Sequence, residues 1–405
     1  MAAVLHEHAS AAERDHDQAR AEDLLKRLAV YDDGSRTGQW TAKATLSLST
    51  SPEEATRTIA RYSMGPDGAR TLGEASALDP AAKEYILIPG SYLLVVEAPG
   101  RATVRYPLEL TRGEELAVHL NLLAGPLVPE GFVHVPAGRF WFGTAAFEEM
   151  RAWQSAVPAH LRETGAFLIA REETTFGQWI AFVEALPAER RELFLPQVMS
   201  GHSGTLLLSP SGGGWELRLQ PNQHTYVVRT GEPLRYLDRE GAAAEMDWLR
   251  LPVSGVSWEQ ASAYVAWLSE TGKVPLARMC REDEWERAAR GADLRIYPHG
   301  DALRPEDANF DETYGRRERA FGPDEVGRHP AVRSPFGLDD MAGNVLELAA
   351  SVRAEGAVVL RGGAYYFDRT SSQVTNRNAF SRGDRLPTVG FRVCADVPGG
   401  LAAGR

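Results

Sequence analysis

Ten histidines and two cysteines are the imidazole and thiol groups of this 405-residue chain. Cys280 and Cys394 are its two cysteines. A pair of thiolates is the soft donor set that takes Cu(I), but two cysteines cannot form a disulfide framework. They read first as small, buried, apolar side chains, with bridging left open. The histidines are scattered. His6, His8 and His16 sit near the N-terminus and read as solvated; His134, His160, His202, His224, His299 and His329 follow with no His-x3-His spacing. A 2-His-1-carboxylate set would have to assemble in space. The stretch from Tyr365 to Asn378 (YYFDRTSSQVTNRN) concentrates Tyr and Arg with Asn and Ser. Those types are enriched at recognition hot spots and in adaptable polar contacts.

Charge narrows the partners. Lys and Arg total 44 against 55 Asp and Glu, a net −11, with no basic run beyond Arg316-Arg317. Nucleic acid is not an expected partner. The N-terminus is polar from residue 6 and lacks the apolar core of a signal peptide. Runs such as Tyr92 to Val96 fall far short of the ~20 apolar residues that span a bilayer. The chain reads as non-membrane and cytoplasmic. At 43% hydrophobic and 24% charged it is an ordinary globular composition, long enough for two or three domains.

The elements that must position these groups change character along the chain. Residues 1–40 are a helical stub in which Leu24, Leu25 and Leu28 have helical spacing and Gly34 is a stop signal. So few apolar positions precede Leu24 that the stub is expected to dock on something else. Residues 41–122 carry short alternating runs between turn residues, which predicts a small β-sandwich. Within it, Ile88 to Gly100 (IPGSYLLVVEAPG) resembles bacterial PEGA-type sandwich domains, which are spacer or binding modules. Residues 123–130, with a Gly and two Pro, form a linker. From 131 to 405 the chain holds eight of its nine tryptophans and many turn glycines. Helices are predicted at 175–186 and 257–269, with a capped start at Ser257. Residues 187–250 look unpatterned and are expected to be a looped insertion, placed over a site.

Ordered blocks then give this C-terminal region a likeness. Phe132 to Gly143 (FVHVPAGRFWFG), Glu173 to Trp179 (ETTFGQW), Pro252 to Glu259 (PVSGVSWE), Arg278 to Gly291 (RMCREDEWERAARG), Tyr297 to Asp301 (YPHGD), Met341 to Glu347 (MAGNVLE), Arg361 to Tyr365 (RGGAY) and Gly390 to Arg392 (GFR) follow one another. Together they resemble the formylglycine-generating enzyme (sulfatase-modifying factor) family over residues 131–396. The resemblance implies an α+β fold, irregular and C-type-lectin-related, rich in loops.

Function does not follow from fold. The family's oxidases hold Cu(I) through Cys-x4-Cys after the Arg-Gly-Gly block. Counted from Arg361, those positions are Phe367 and Ser372 here, and neither binds copper. The resemblance also implies structural Ca2+, held by hard oxygen donors: Glu347 with the carbonyls of Gly343 and Val345 in one site, and Asn309, the carbonyl of Phe310 and Glu318 in a second. A branch of the superfamily uses non-heme iron, with its histidines largely on an additional helical domain that this chain replaces with a sandwich.

With the copper pair gone, the expected recognition surface is Tyr365, Tyr366, Phe367, Asp368, Ser372, Asn376 and Arg377. The same C-terminal surface is varied in retroelement-diversified proteins of this fold. The order of stub, sandwich and C-terminal domain resembles the end of multidomain bacterial Ser/Thr kinases, which links the chain to such a pathway, although it has no kinase motif. The sequence therefore predicts a non-catalytic sensor or adaptor in bacterial signalling or defence, binding a ligand, protein or peptide, with calcium and without copper. The alternative is an O2-dependent oxidase, with iron or relocated copper, acting on a protein or small thiol. A spacer is the third reading.

Overall fold

The computed structural model describes residues 1–14, 18–199 and 204–398; His16 and His202 lie outside these. It is a mixed helix-and-sheet structure with three consecutive regions. Among the described residues no helix is long and apolar enough to cross a membrane.

The N-terminal region is a pair of helices, Ala2–Arg14 and Gln18–Tyr31, followed by the short Ser35–Thr41. Leu5, Ala9 and Ala12 recur at i, i+4 and i+7 and meet Ala21, Leu24 and Leu28 of the second helix. The expectation of a stub lacking its own apolar partner is thereby corrected. The alanines count little as hydrophobic residues, yet they let the two helices approach and share a small core. Arg112 ties this pair to the sandwich: its guanidinium lies 4.1 Å from the Trp40 ring centroid and pairs with Glu13 at 2.7 Å.

Two sheets follow. One has the order Glu84–Leu87, Ala44–Ser51, Glu115–Asn121; the other has the order Arg70–Leu72, Thr56–Met64, Gly90–Glu97, Val104–Leu110. Every second residue of Ala44–Ser51 is buried, the period of a strand with one face on a core. Leu46, Leu48, Leu94, Val96, Tyr106 and Leu120 form that core from both sheets.

The C-terminal domain is built on two main sheets. The first orders as Ala277–Met279, Val393–Asp396, Phe167–Ala170, Phe132–Val135. The last strand among the described residues thus sits between two that precede it by more than 110 residues. The second orders as Asn378–Phe380, Val358–Arg361, Leu346–Ala350, Val389–Gly390. Helices Phe176–Ala185 and Trp258–Glu270 begin in capping boxes, Thr175 with Gln178 and Ser257 with Gln260. Trp179, Tyr264 and Phe391 pack between them.

One open point closes here and one expectation changes. Cys280 and Cys394, whose bridging the sequence left open, are bonded to each other. The antiparallel register sets Arg278 opposite Cys394 and Met279 opposite Val393, which brings the Cα atoms of the two cysteines to 4.9 Å. Residues 187–250 are not mainly loop. Strands Gln197–Val198, Thr205–Ser211, Gly214–Gln220 and Tyr226–Arg229 form a meander. Leu206, Leu208, Leu217, Leu219, Tyr226 and Val228 from it join the main core.

The sandwich docks tightly on the C-terminal domain. Trp141 donates Nε1–H to Glu109 at 2.6 Å, and the Arg70 N–H donates to the His299 carbonyl at 2.8 Å. At Gly300 a Cβ would lie 2.3 Å from the Gly68 carbonyl oxygen, so the approach requires glycine.

Candidate functional site

The loops of the C-terminal domain are pinned by a helix whose every side chain is buried, Glu282–Arg290. Charged residues tolerate such burial best when paired, and most of these are; Arg287 donates instead to the Pro136 carbonyl and the Thr164 hydroxyl. Glu286 accepts from the Gly143 N–H at 2.7 Å and from Arg290 at 3.0 Å, and it also pairs with Arg361. Glu282 accepts from Arg377 at 2.9 Å. Trp285 donates to Glu347 at 2.7 Å. Buried hydrogen-bonded networks of this kind hold irregular backbone in one arrangement.

Arg361 leads into the segment that stands where the copper cysteines would be. Gly363 has φ +77°, and a Cβ there would strike Ser372 at 2.5–3.0 Å, so the turn is closed by glycine against Ser372. Ser372 is fully buried, with Oγ 3.5 Å from the Asp368 carbonyl. Phe367 is half-buried and packs against the main core, and its carbonyl accepts from the Asp311 N–H at 3.0 Å. The two positions are therefore filled by a packed ring and a buried hydroxyl.

The expected recognition surface is only partly a surface. Tyr365, Ser372 and Asn376 are 1%, 0% and 2% exposed, and the Arg377 guanidinium is committed to Glu282. These four are corrections to the sequence reading. The reason is local: a segment without regular structure must satisfy its backbone with its own side chains. Asn376 donates to the Ser371 carbonyl at 2.8 Å, and Asp368 accepts from the Ser371 N–H at 2.9 Å. Tyr366, Phe367 and Asp368 remain half-exposed.

Tyr366 stands over the neighbouring loop, its ring 5.8 Å from that of Phe321. Beside it is a pocket of about 10 Å3 lined by Phe310, Asp311, Tyr314, Phe321 and Tyr365, among others, room for about one water. Asp311 Oδ1 and the Tyr365 hydroxyl are both buried without a hydrogen-bond partner. Burial raises the Tyr365 pKa, so its hydroxyl stays protonated and able to donate. An unpaired acceptor and an unpaired donor at one aromatic-rimmed pocket are what a polar ligand group would satisfy.

Two of the expected calcium ligands, Glu347 and Asn309, have hydrogen-bond partners within the chain. Glu347 receives Arg392 through two hydrogen bonds, 2.6 and 2.7 Å, so its charge is matched by a guanidinium. Gly343 and Val345 lie on the same turn; the Gly343 N–H donates to the Gly362 carbonyl and Val345 is buried. The Asn309 amide donates to the Gly322 carbonyl at 3.0 Å, Phe310 is buried, and Glu318 is exposed. The described histidines do not cluster. Burial, then the charge of Arg287, pushes His134 down to about 4. His299 faces Asp307 at 3.2 Å, His329 faces Asp324 at 3.1 Å, and the His224 ring centroid is 4.6 Å from that of Tyr226. Among the described residues no group of three or more His, Cys, Asp or Glu is placed to hold a metal ion.

Sequence reasoning missed Arg239. It comes from the 187–250 segment, stacks between Tyr236 (3.6 Å) and Tyr314 (3.8 Å), and pairs with the buried Asp324. It clamps the meander to the loop that carries the pocket. No spacing pattern marks Arg239 in the sequence; only the nearby Tyr236 hints at stacking.

Residues 126–397 match the model of the sulfatase-modifying factor enzyme 1-like domain. The chain belongs to this family. Over 165 residues it is 32% identical to a Mus musculus protein named inactive C-alpha-formylglycine-generating enzyme 2, covering 37% of this chain and 51% of that one. Over 237 residues it is 28% identical to the formylglycine-generating enzyme of Mycobacterium tuberculosis, covering 53% and 72%. Over 253 residues it is 26% identical to the hercynine oxygenase of Mycolicibacterium smegmatis, covering 62% and 52%. The chain spans about half the length of the mouse relative.

Proposed function

We propose that this family member is a non-catalytic binding module, a sensor or adaptor that engages a protein or peptide through the face around Tyr366 and Phe321. One observation carries the reading. Phe367 and Ser372 occupy the copper positions, and both sulfurs of the chain's cysteines are spent on one disulfide, so no thiolate is left for Cu(I). Relocation of the copper site to Cys280 and Cys394 loses its donors for the same reason. The resemblance to an inactive relative supports the reading. The test is Cu(I) binding by the unreduced protein against a coloured chelator. The chelator should keep its copper; stoichiometric withdrawal by the protein overturns the reading. For the face, a partner retained by the wild type and lost by Tyr366→Ser with Phe321→Ser supports it, and equal retention overturns it.

The second reading is an iron-dependent oxygenase, favoured by the similarity to hercynine oxygenase. It requires a ligand set, and oxygen uptake stimulated by Fe(II) would support it.

A further inference from the structure

The sandwich and the C-terminal domain together line an open cavity of about 380 Å3 whose wall is cationic. Arg70 and Arg105 enter it from the sandwich; Arg171, Arg295 and Arg333 enter it from the C-terminal domain. Among the described residues that line it none is acidic. In a chain of net charge −11, this is a local reversal of sign.

Tracing each guanidinium to its partner shows which charges are spent. Asp293 receives Arg70 and Arg295, each at 2.8 Å. Asp301 also takes Arg70, at 3.3 Å, and Asp339 takes Arg333 at 2.6 Å. Five guanidiniums therefore face three carboxylates. Arg105 donates to the Pro335 carbonyl at 2.9 Å, which orders it without neutralising it. The Arg171 guanidinium is exposed and makes no hydrogen bond or ion pair among the described residues. The excess is two positive charges, one held by each domain.

One further donor is unsatisfied: Arg70 is 8% exposed, and its Nε has no partner. Buried polar atoms are rarely left so. Tyr62, Leu72 and Phe336 supply apolar wall, and the volume is in the range that admits a small organic molecule.

We propose that this interdomain cavity is a binding site for a small phosphate ester, its dianionic head taken by Arg105 and Arg171 and its organic part lying on Tyr62 and Leu72. Guanidinium forks arriving from separate directions match a phosphate's several oxygens, and a narrow cationic cleft concentrates anions. Because the two free cations come from different domains, the occupant would bridge the sandwich to the C-terminal domain. The proposal is independent of the Tyr366 face and of the lost copper pair.

The experiment is calorimetric titration of the full chain with inorganic pyrophosphate, with acetate at matched ionic strength as the control. The expected result is saturable binding of one pyrophosphate per chain and none of acetate. Arg171→Ala and Arg105→Ala, made singly, should each weaken it by roughly tenfold or more, whereas Arg235→Ala, an exposed arginine outside the cavity, should not. Absence of saturable binding at millimolar pyrophosphate, or equal affinity in all three variants, overturns the proposal.

Discussion

Glu347 and Arg392 are joined by two hydrogen bonds of 2.6 and 2.7 Å, and both side chains are fully buried. Arg392 also donates to the carbonyls of Ala170, Arg171 and Asp339. One ion pair thus ties three separated stretches of chain together. Breaking a buried pair leaves an uncompensated charge, which costs about 3–5 kcal/mol. Glu347→Gln should lose stability on that scale, read as the midpoint of urea unfolding. A loss below about 1 kcal/mol, the worth of an exposed pair, would show that the pair does not hold the domain.

The same pair bears on calcium. With Glu347 matched to Arg392, removal of calcium by EDTA should leave the melting temperature unchanged, as should adding it back. A rise of several degrees on addition would restore the calcium sites anticipated at Glu347 or Asn309.

The disulfide joins residues 114 apart in sequence. Cross-links closing loops of that length stabilise by about 3–5 kcal/mol, chiefly by restricting the unfolded chain. Cys394→Ser should lower stability by that amount. Alkylation of the unfolded, unreduced protein should label no cysteine, the state that persists in oxidising compartments. Two labelled thiols in protein trapped directly from cells would instead fit the cytoplasmic reading.

Glu173 gives a pH dependence. Burial, then the neighbouring charge of Asp340, raises its pKa well above the ordinary carboxyl range. A carboxyl that binds its proton more tightly in the folded chain makes stability fall as pH rises from about 4, the unfolded value, through the raised one. Glu173→Gln removes that loss. The variant should match the wild type at acid pH and exceed it at pH 8, read as the melting temperature at each pH. An equal deficit at both pH values would mean that the carboxylate has a partner at neutral pH.

Much of the fold was legible because its blocks are local. Ser257 opens its helix as read, and the alternation in Ala44–Ser51 marks a strand facing a core. The meander at 197–229 was also written in the sequence, as Leu206 and Leu208, then Leu217 and Leu219, then Tyr226 and Val228. Pro210 and the turn glycines between those runs hid the period of two. That Phe367 and Ser372 stand at the two counted positions was readable from the sequence, because counting from Arg361 needs no tertiary information. The burial of Tyr365 and Asn376 was not legible, since the same residue types serve a solvated surface and a self-satisfied turn. The cavity was least legible of all: Arg105 and Arg171 are brought together only by the docking of two domains.

The most direct test of the central claim is to incubate the unreduced protein aerobically with Cu(I) and a peptide containing Cys-x-Pro-x-Arg, and to read the peptide's mass. The account predicts that the cysteine survives unconverted, because no thiolate pair exists to hold the metal. Appearance of formylglycine, above a control lacking the protein, would contradict it and make the chain an oxidase.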